Sequence, residues 1–479
     1  MTLKKQTFSG VLWTFMDTFL VKGIMFIAMI LLARWIGPED FGLIGMIAVF
    51  VAIGKSLTDS GMANSLIRTK EPDQSDFSTV FIVNIVMSIL VYTILYFTAP
   101  FIADFFGHEI LINIIRIYCL LFLIIAFSAV QLAILTKRME FKKITKINFP
   151  STIIGVALGL YLGYNEYGVW SVVWMYLGTE LIRSVLLWFF SDWKPKFIFS
   201  KSKFNFHFKF GYKLVLSGLL DTVFKNVYNI LIGRYFSAQM LGFYERSKQF
   251  SEYPSATLTG VISKVTYPML SQIQEDPKRL ETIYRKLIRV SFFIIAPLML
   301  GLAAIAKPLF LILLGDEWLP AVLFFQILTF AMMLYPIHAF NINILKVYGR
   351  SDLFLKLEII KKIIISISVI IAFQFGVIGL VLSSVFTSFA ALAVNMFYSS
   401  KLIDYPVFKQ IKDLSITLII AIFVAFLMYK TTTLLPNALN IVQMILASLV
   451  GVIVYLGINY LVKTSPLHQV ISLLKTRNL

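Results

Sequence analysis

Cysteine occurs once in 479 residues, at position 119, and histidine four times. One cysteine excludes an intrachain disulfide framework and a thiolate metal site, and the histidines form no HxxxH pair. Charge is scarce too: 14% of residues are Asp, Glu, Lys or Arg, against about a quarter in soluble domains. No nucleophile–base pair, metal-ligand cluster or Gly-rich phosphate loop is legible, so the chain is not expected to be an enzyme and needs no cofactor. Acids are the rarer sign, with 25 Asp and Glu against 43 Lys and Arg and a net charge of +18. The surplus lies mostly in alternate loops, which is what membrane insertion demands and not what a nucleic-acid surface looks like. Strand-length alternation of apolar and polar residues is missing, which argues against a β-barrel.

What is abundant is apolar: 58% of residues, with a mean hydropathy of +0.83. Apolar stretches recur at about the 20 residues that cross about 30 Å of hydrocarbon as a helix. Fourteen are expected, over 8–33, 41–66, 77–99, 112–135, 147–164, 168–190, 212–233, 241–267, 287–314, 321–344, 358–375, 377–399, 412–431 and 438–462. The first is too long for a signal peptide and has no small-residue cleavage site, so it reads as a retained span. Lysines and arginines gather at 137–146, 194–209, 278–286 and 346–356, all on one side in a fourteen-span count. Both termini are then cytoplasmic.

The chain repeats itself. Ile30–Gly42 (ILLARWIGPEDFG) matches Ile230–Gly242 (ILIGRYFSAQMLG), and Pro100–Glu109 matches Pro308–Glu317 at an offset of 208. Gly168 and Val169 match Gly376 and Val377 at that same offset. Internal duplication of an apolar chain is a transporter signature. The expected architecture is an all-α polytopic membrane protein with two six-helix lobes and two extra C-terminal helices. Its divisions are 1–193, a basic cytoplasmic linker at 194–210, a second lobe at 211–400, and spans 13 and 14 with a cytoplasmic tail at 401–479. The linker's basic and aromatic mix suits anionic lipid headgroups or a plain topogenic loop.

A charge at membrane depth costs at least about 2.5–3.5 kcal/mol, so each one needs a partner, a cavity or a function. Lys55/Asp59 and Asp221/Lys225 are four residues apart and Glu180/Arg183 three, so each pair shares a helix face. Asp17 and Lys22, five apart, do not face each other well. The eighth stretch carries Glu245, Arg246, Lys248, Glu252 and Lys264, and a helix that polar cannot face lipid. The cations Lys22, Lys55, Arg183, Lys225, Arg246, Lys248 and Lys264 suit an anionic substrate such as a diphosphate. The acids Asp17, Asp59, Glu180, Asp221 and Glu252 are candidate proton or sodium coupling sites. His338 and Cys119 read as ordinary core residues.

The segments ARWIGPEDFG (33–42), GMANSLI (61–67), LGFYERSKQF (241–250) and YPMLSQIQEDP (267–277) resemble the polysaccharide flippases of the multidrug/oligosaccharidyl-lipid/polysaccharide superfamily. The likeness is greatest to the Wzx-type O-antigen, colanic-acid and exopolysaccharide translocases. It implies alternating-access flipping of undecaprenyl-diphosphate-linked oligosaccharide across the bacterial cytoplasmic membrane. Membrane lipids and other polysaccharide-assembly proteins are then the implied partners. It implies that Lys22, Lys55, Lys225, Arg246, Lys248 and Lys264 face the diphosphate or sugar. A lipid II flippase and a multidrug/cation antiporter of the same superfamily are the alternatives. The cationic surplus and the extra two spans count against the antiporter.

Overall fold

Gly37 interrupts the first helix where its sequence requires. The computed structural model describes residues 3–59 and 61–475, and their side chains except those of 3–11, 59, 213, 214, 217, 264, 265 and 473–475. In it α1 (Leu3–Asp59) has one non-helical residue, Gly37, at φ 73° and ψ 173°, with Pro38 next. Positive φ is cheap only for glycine, and Pro38 has no N–H to continue the ladder, so the helix turns and restarts. After it come α2 (Met62–Arg68), α3 (Gln74–Phe106), α4 (Ile110–Tyr118), α5 (Leu120–Lys137), α6 (Phe141–Tyr164), α7 (Val169–Phe190), α8 (Lys201–Lys225), α9 (Val227–Tyr235) and α10 (Ala238–Gln272). The remainder is α11 (Pro277–Ala304), α12 (Ala306–Leu313), α13 (Ala321–Met332), α14 (Tyr335–Val347), α15 (Ser351–Phe373), α16 (Gly376–Ser400), α17 (Val407–Leu434), α18 (Asn440–Leu461) and α19 (Ser465–Lys475). Among the described residues there is no strand.

Among the described residues ten helices are long and apolar enough to cross a membrane, against fourteen expected stretches. α1 accounts for one of the difference, because it holds two stretches across its kink. The other three fall in interrupted or charged helices. Asn226 separates α8 from α9, α10 carries Glu245, Arg246, Lys248 and Glu252, and α15 carries Lys356, Glu358, Lys361 and Lys362. Large apolar side chains such as Phe101, Phe189, Ile370, Phe386, Ile419 and Ile453 point outward. Water would penalise such a surface, and hydrocarbon does not. This is a multi-pass membrane protein.

The chain forms two compact units, 1–242 and 243–479. α8 and α9 fall within the first of these units. The linker expected at 194–210 is shorter, since α8 begins at Lys201. Ser200 Oγ caps it, accepting the Lys203 N–H at 3.4 Å. The stronger cause is a long-range anchor. Asp76 at the start of α3 is 1% exposed; it accepts from Lys203 Nζ at 2.7 Å and contacts His207 Nε2 at 3.0 Å. A carboxylate only accepts, so Nε2 carries a proton, and the His207 Nδ1 then accepts from Ser65 Oγ of α2 at 2.8 Å. Three segments are thus tied by one buried acid.

That anchor carries a pH dependence. Burial lowers the His207 pKa from its ordinary value, against the opposing pull of Asp76. Lys203, held by Asp76, is raised and stays charged. The unfolded chain takes up a proton on His207 below about pH 6.5 that the folded chain refuses. Stability is therefore expected to fall as pH drops from about 6.5, until the folded imidazole titrates in turn. Melting curves in detergent between about pH 7.5 and 5 should show this slope, and His207→Gln should flatten it. An unchanged slope in His207→Gln removes the anchor from the account.

The second unit is organised around α11, whose Leu280, Tyr284, Ile288, Phe292, Ile295 and Met299 recur every three or four residues and are buried. They join one core with Phe340 of α14, Met396 of α16, Val424 and Met428 of α17 and Tyr455 of α18. The pattern is that of a helix with an apolar stripe packed on its neighbours.

Candidate functional site

The first unit encloses a cavity of 620 Å³ lined by residues of α1, α2, α5, α7 and α8. Among the described residues its cations are Lys55 of α1 and Arg183 of α7, and Ser56, Thr58, Asn64, Ser128 and Thr136 supply hydroxyls and an amide. The remaining wall is mostly small and apolar, including Ala52, Ala126, Ala129 and Ala133. Small side chains leave room, and two cations with several neutral donors suit a hydroxylated anion. Among the described residues no acid lines it.

Arg183 is not left to itself, because Glu180 forms a close ion pair with it from one turn earlier. Both side chains are largely buried, so the acid offsets part of the cost of holding the guanidinium in a poorly solvated place. Asp17 of α1 accepts a hydrogen bond from Asn148 Nδ2 of α6 at 3.1 Å. This partner lies 131 residues away, and nothing in the local spacing signals it. Lys22 of α1 and Lys55 are exposed on the first unit. Asp221 and Lys225 of α8 form an i,i+4 pair at 2.7 Å, with the lysine 72% and the acid 44% exposed. An exposed pair of that kind contributes little to stability.

In the second unit, Arg246 of α10 is buried and Glu252 is half-buried. Lys248 lies 3.9 Å from Glu245 and 5.7 Å from the Tyr244 ring centroid. The side chains of Asp59 and Lys264 lie outside the described residues. The structure thus brings Lys55 and Arg183 to one cavity and pairs Glu180 with Arg183 and Asp221 with Lys225. His338 is a satisfied core residue, contacting Ser388 Oγ at 3.2 Å and Asn395 Nδ2 at 2.9 Å. Cys119 is buried.

A close contact joins the two copies of the arginine–glycine motif. A Cβ on Gly42 would fall 1.7 Å from the Ala238 carbonyl oxygen, and one on Gly242 would fall 1.8 Å from that of Pro38. Both contacts lie within the first unit. They are reciprocal: 38 and 42 meet 242 and 238, each 200 residues on. Backbones come this near only where side chains are missing.

A family model described as "Polysaccharide biosynthesis protein" matches residues 31–323. The lipopolysaccharide biosynthesis protein WzxC of Escherichia coli (strain K12) is 24% identical over 445 residues, covering 92% of this chain and 89% of its own length. The succinoglycan biosynthesis transport protein ExoT of Rhizobium meliloti (strain 1021) is 23% identical, covering 97% of this chain and 95% of its own. Among solved structures, a lipid II flippase MurJ in an inward closed conformation superposes with a TM-score of 0.74 at 19% identity, covering 93% of this chain and 97% of that one. At that identity the likeness is one of fold.

Proposed function

The chain belongs to the polysaccharide biosynthesis protein family, and from that premise we propose that it flips lipid-linked oligosaccharide across the bacterial cytoplasmic membrane. The observation that carries this reading is the cavity where Lys55 and Arg183 meet hydroxyl and amide groups against a wall of mostly small, apolar residues. A diphosphate-linked sugar presents the complement, a small anion beside many hydroxyls. Its prenyl tail remains in lipid while the head exchanges hydration for cations and neutral donors, lowering the barrier to crossing hydrocarbon. The names of WzxC and ExoT, tied to lipopolysaccharide and succinoglycan biosynthesis, agree with a polymer precursor as cargo.

The finer mechanism we propose is alternating access by two related lobes and two extra helices, with fourteen crossings and both termini cytoplasmic. The reciprocal 38/42 and 238/242 contact supports the duplication, as do the positive-φ glycine pairs Gly107/Gly315 and Gly168/Gly376, each 208 residues apart. Lys22, Lys225, Arg246, Lys248 and Lys264 are the further cations we place on the head's path. Among the acids Asp59, Glu180, Asp221, Glu252 and Asp17, the last is the one we propose for proton or sodium coupling. Its Asn148 partner is neutral, whereas Glu180 and Asp221 are bound to cations.

The test is reconstitution in liposomes with a lipid-linked oligosaccharide, reading the rate at which an external glycosidase cuts the sugar. Lys55→Gln, and Arg183→Gln combined with Glu180→Gln, remove one charge-assisted contact each. Each contact contributes about 1.5–3 kcal/mol, so each change should slow exposure about tenfold or more. Normal rates in both variants sink the cationic cavity as the path. No exposure by the wild type under any proton or sodium gradient sinks the flippase reading and favours drug export.

A further inference from the structure

A second basic hollow, of 510 Å³, lies in the first unit and shares no lining residue with the cavity just described; it is lined by Ser65, Arg68, Thr69, Lys70, Phe206, Lys209 and Phe210. Three of those seven residues are cations and none is an acid. The Arg68 guanidinium stacks 4.7 Å from the Phe210 ring centroid. Stacking uses the guanidinium face, so its in-plane N–H groups are turned to other partners. Two acids at the start of α3, Asp73 and Asp76, are already paired with Lys203. Asp76 is buried against Lys203 and His207. The last carbonyls of α2, which would repel an anion, accept from Lys137: Ile67 O at 3.3 Å and Thr69 O closer still.

Around the hollow the surface is aromatic and outward-facing. Phe206, Phe208 and Tyr212 of α8 and Phe197 and Phe199 of the preceding segment are exposed, with Lys194, Lys196 and Lys201 beside them. Aromatic rings with lysines at the end of an apolar helix mark the headgroup level of a bilayer. A free anion in solution has no use for such rings, and acyl chains do.

We infer that this hollow is a binding site for the phosphate of an anionic glycerophospholipid, distinct from the transport cavity. Arg68, Lys70 and Lys209 take the phosphate and its charge, and Phe206 and Phe210 line the glycerol and upper acyl region. His207, through Asp76 and Ser65, fixes α8 against α2 and so holds the two walls together. The inference does not rest on the flippase reading.

The full-length protein in detergent, titrated with phosphatidylglycerol or phosphatidylcholine and read by native mass spectrometry, tests it. Phosphatidylglycerol should be retained over phosphatidylcholine. Each cation near an anionic headgroup contributes about 1 kcal/mol, so R68Q/K209Q should weaken retention about tenfold or more. K194Q/K196Q, with charges outside the hollow, should weaken it less, and R68K should keep most of it. A matched melting temperature for R68Q/K209Q establishes that the hollow alone changed. Equal retention of both lipids, or no loss in R68Q/K209Q, overturns the site. Displacement by inorganic phosphate at the same concentration shows a free-anion site instead. Preferential capture of undecaprenyl diphosphate makes it part of the transport path, and so also overturns the assignment.

Discussion

Replacing Gly42 and Gly242 together by alanine is expected to force apart the two helix segments that cross there, and to stop transport. The Cβ of each alanine would sit 1.7 and 1.8 Å from backbone carbonyl oxygens, about half of a normal non-bonded carbon–oxygen separation. A flexible side chain can swing away from such a clash, but a helix backbone moves only as a body. Overpacking of a fitted interior costs about 1–3 kcal/mol per site, and the two sites share one crossing, so their effects are coupled. Gly457 is the control. Nothing lies within 4 Å of its missing Cβ, so Gly457→Ala within α18 should be neutral or stabilising by up to about 1 kcal/mol.

The measurement uses the chain's single, buried cysteine. In a Cys119→Ser background, an Ala238→Cys probe should be shielded from maleimide, since Ala238 is buried. Adding Gly42→Ala should raise its labelling rate about tenfold or more, as about 1.4 kcal/mol of lost packing implies. Unchanged labelling together with unchanged glycosidase exposure would falsify the close crossing. If the two-lobe mechanism holds, labelling should also rise during turnover of the probe protein that keeps Gly42 and Gly242, because the crossing must then open and close.

These glycines show what a sequence can and cannot disclose. The motif 33–42 and its copy 233–242 stand out as punctuation, and the Gly37–Pro38 pair announces the break that α1 contains. Spacing also places Glu180 with Arg183 and Asp221 with Lys225, because neighbours three or four residues apart on a helix must share a face. That Gly42 and Gly242 meet each other is a tertiary fact with no local sign. So are the Asp17–Asn148 hydrogen bond and the Asp76–Lys203–His207 anchor, each spanning more than 100 residues. The start of α8 at Lys201 has no local sign either: its basic residues look like a linker until the buried acid on α3 is known. The polar helices α10 and α15 are legible as anomalies, yet what they face is not.

The second large effect is expected at Asp413, and its direction follows from who would be left behind. Asp413 of α17 is 7% exposed and receives Arg285 and Arg289, both from α11. Arg285 Nη2 reaches Oδ1 at 2.9 Å, and the Tyr405 hydroxyl donates to Oδ2 at 2.7 Å. One carboxylate thus satisfies two guanidiniums and a phenol where α17 meets α11. Asp413→Ala strands two partly buried cations, and breaking a buried pair from one side costs about 3–5 kcal/mol. Asp413→Asn keeps the shape and loses the charge, so it should fall between alanine and wild type. The neighbouring Lys409–Glu281 pair, at 3.0 Å, has its lysine 41% exposed. Lys409→Ala should therefore cost no more than about 1 kcal/mol. Thermal unfolding in detergent ranks the four proteins, and an Asp413→Ala variant as stable as Lys409→Ala would remove the clamp from the account. Replacing Asp413, Arg285 and Arg289 together by apolar residues of similar volume should recover much of the loss, because the cost is one of stranded charge and not of a missing attraction.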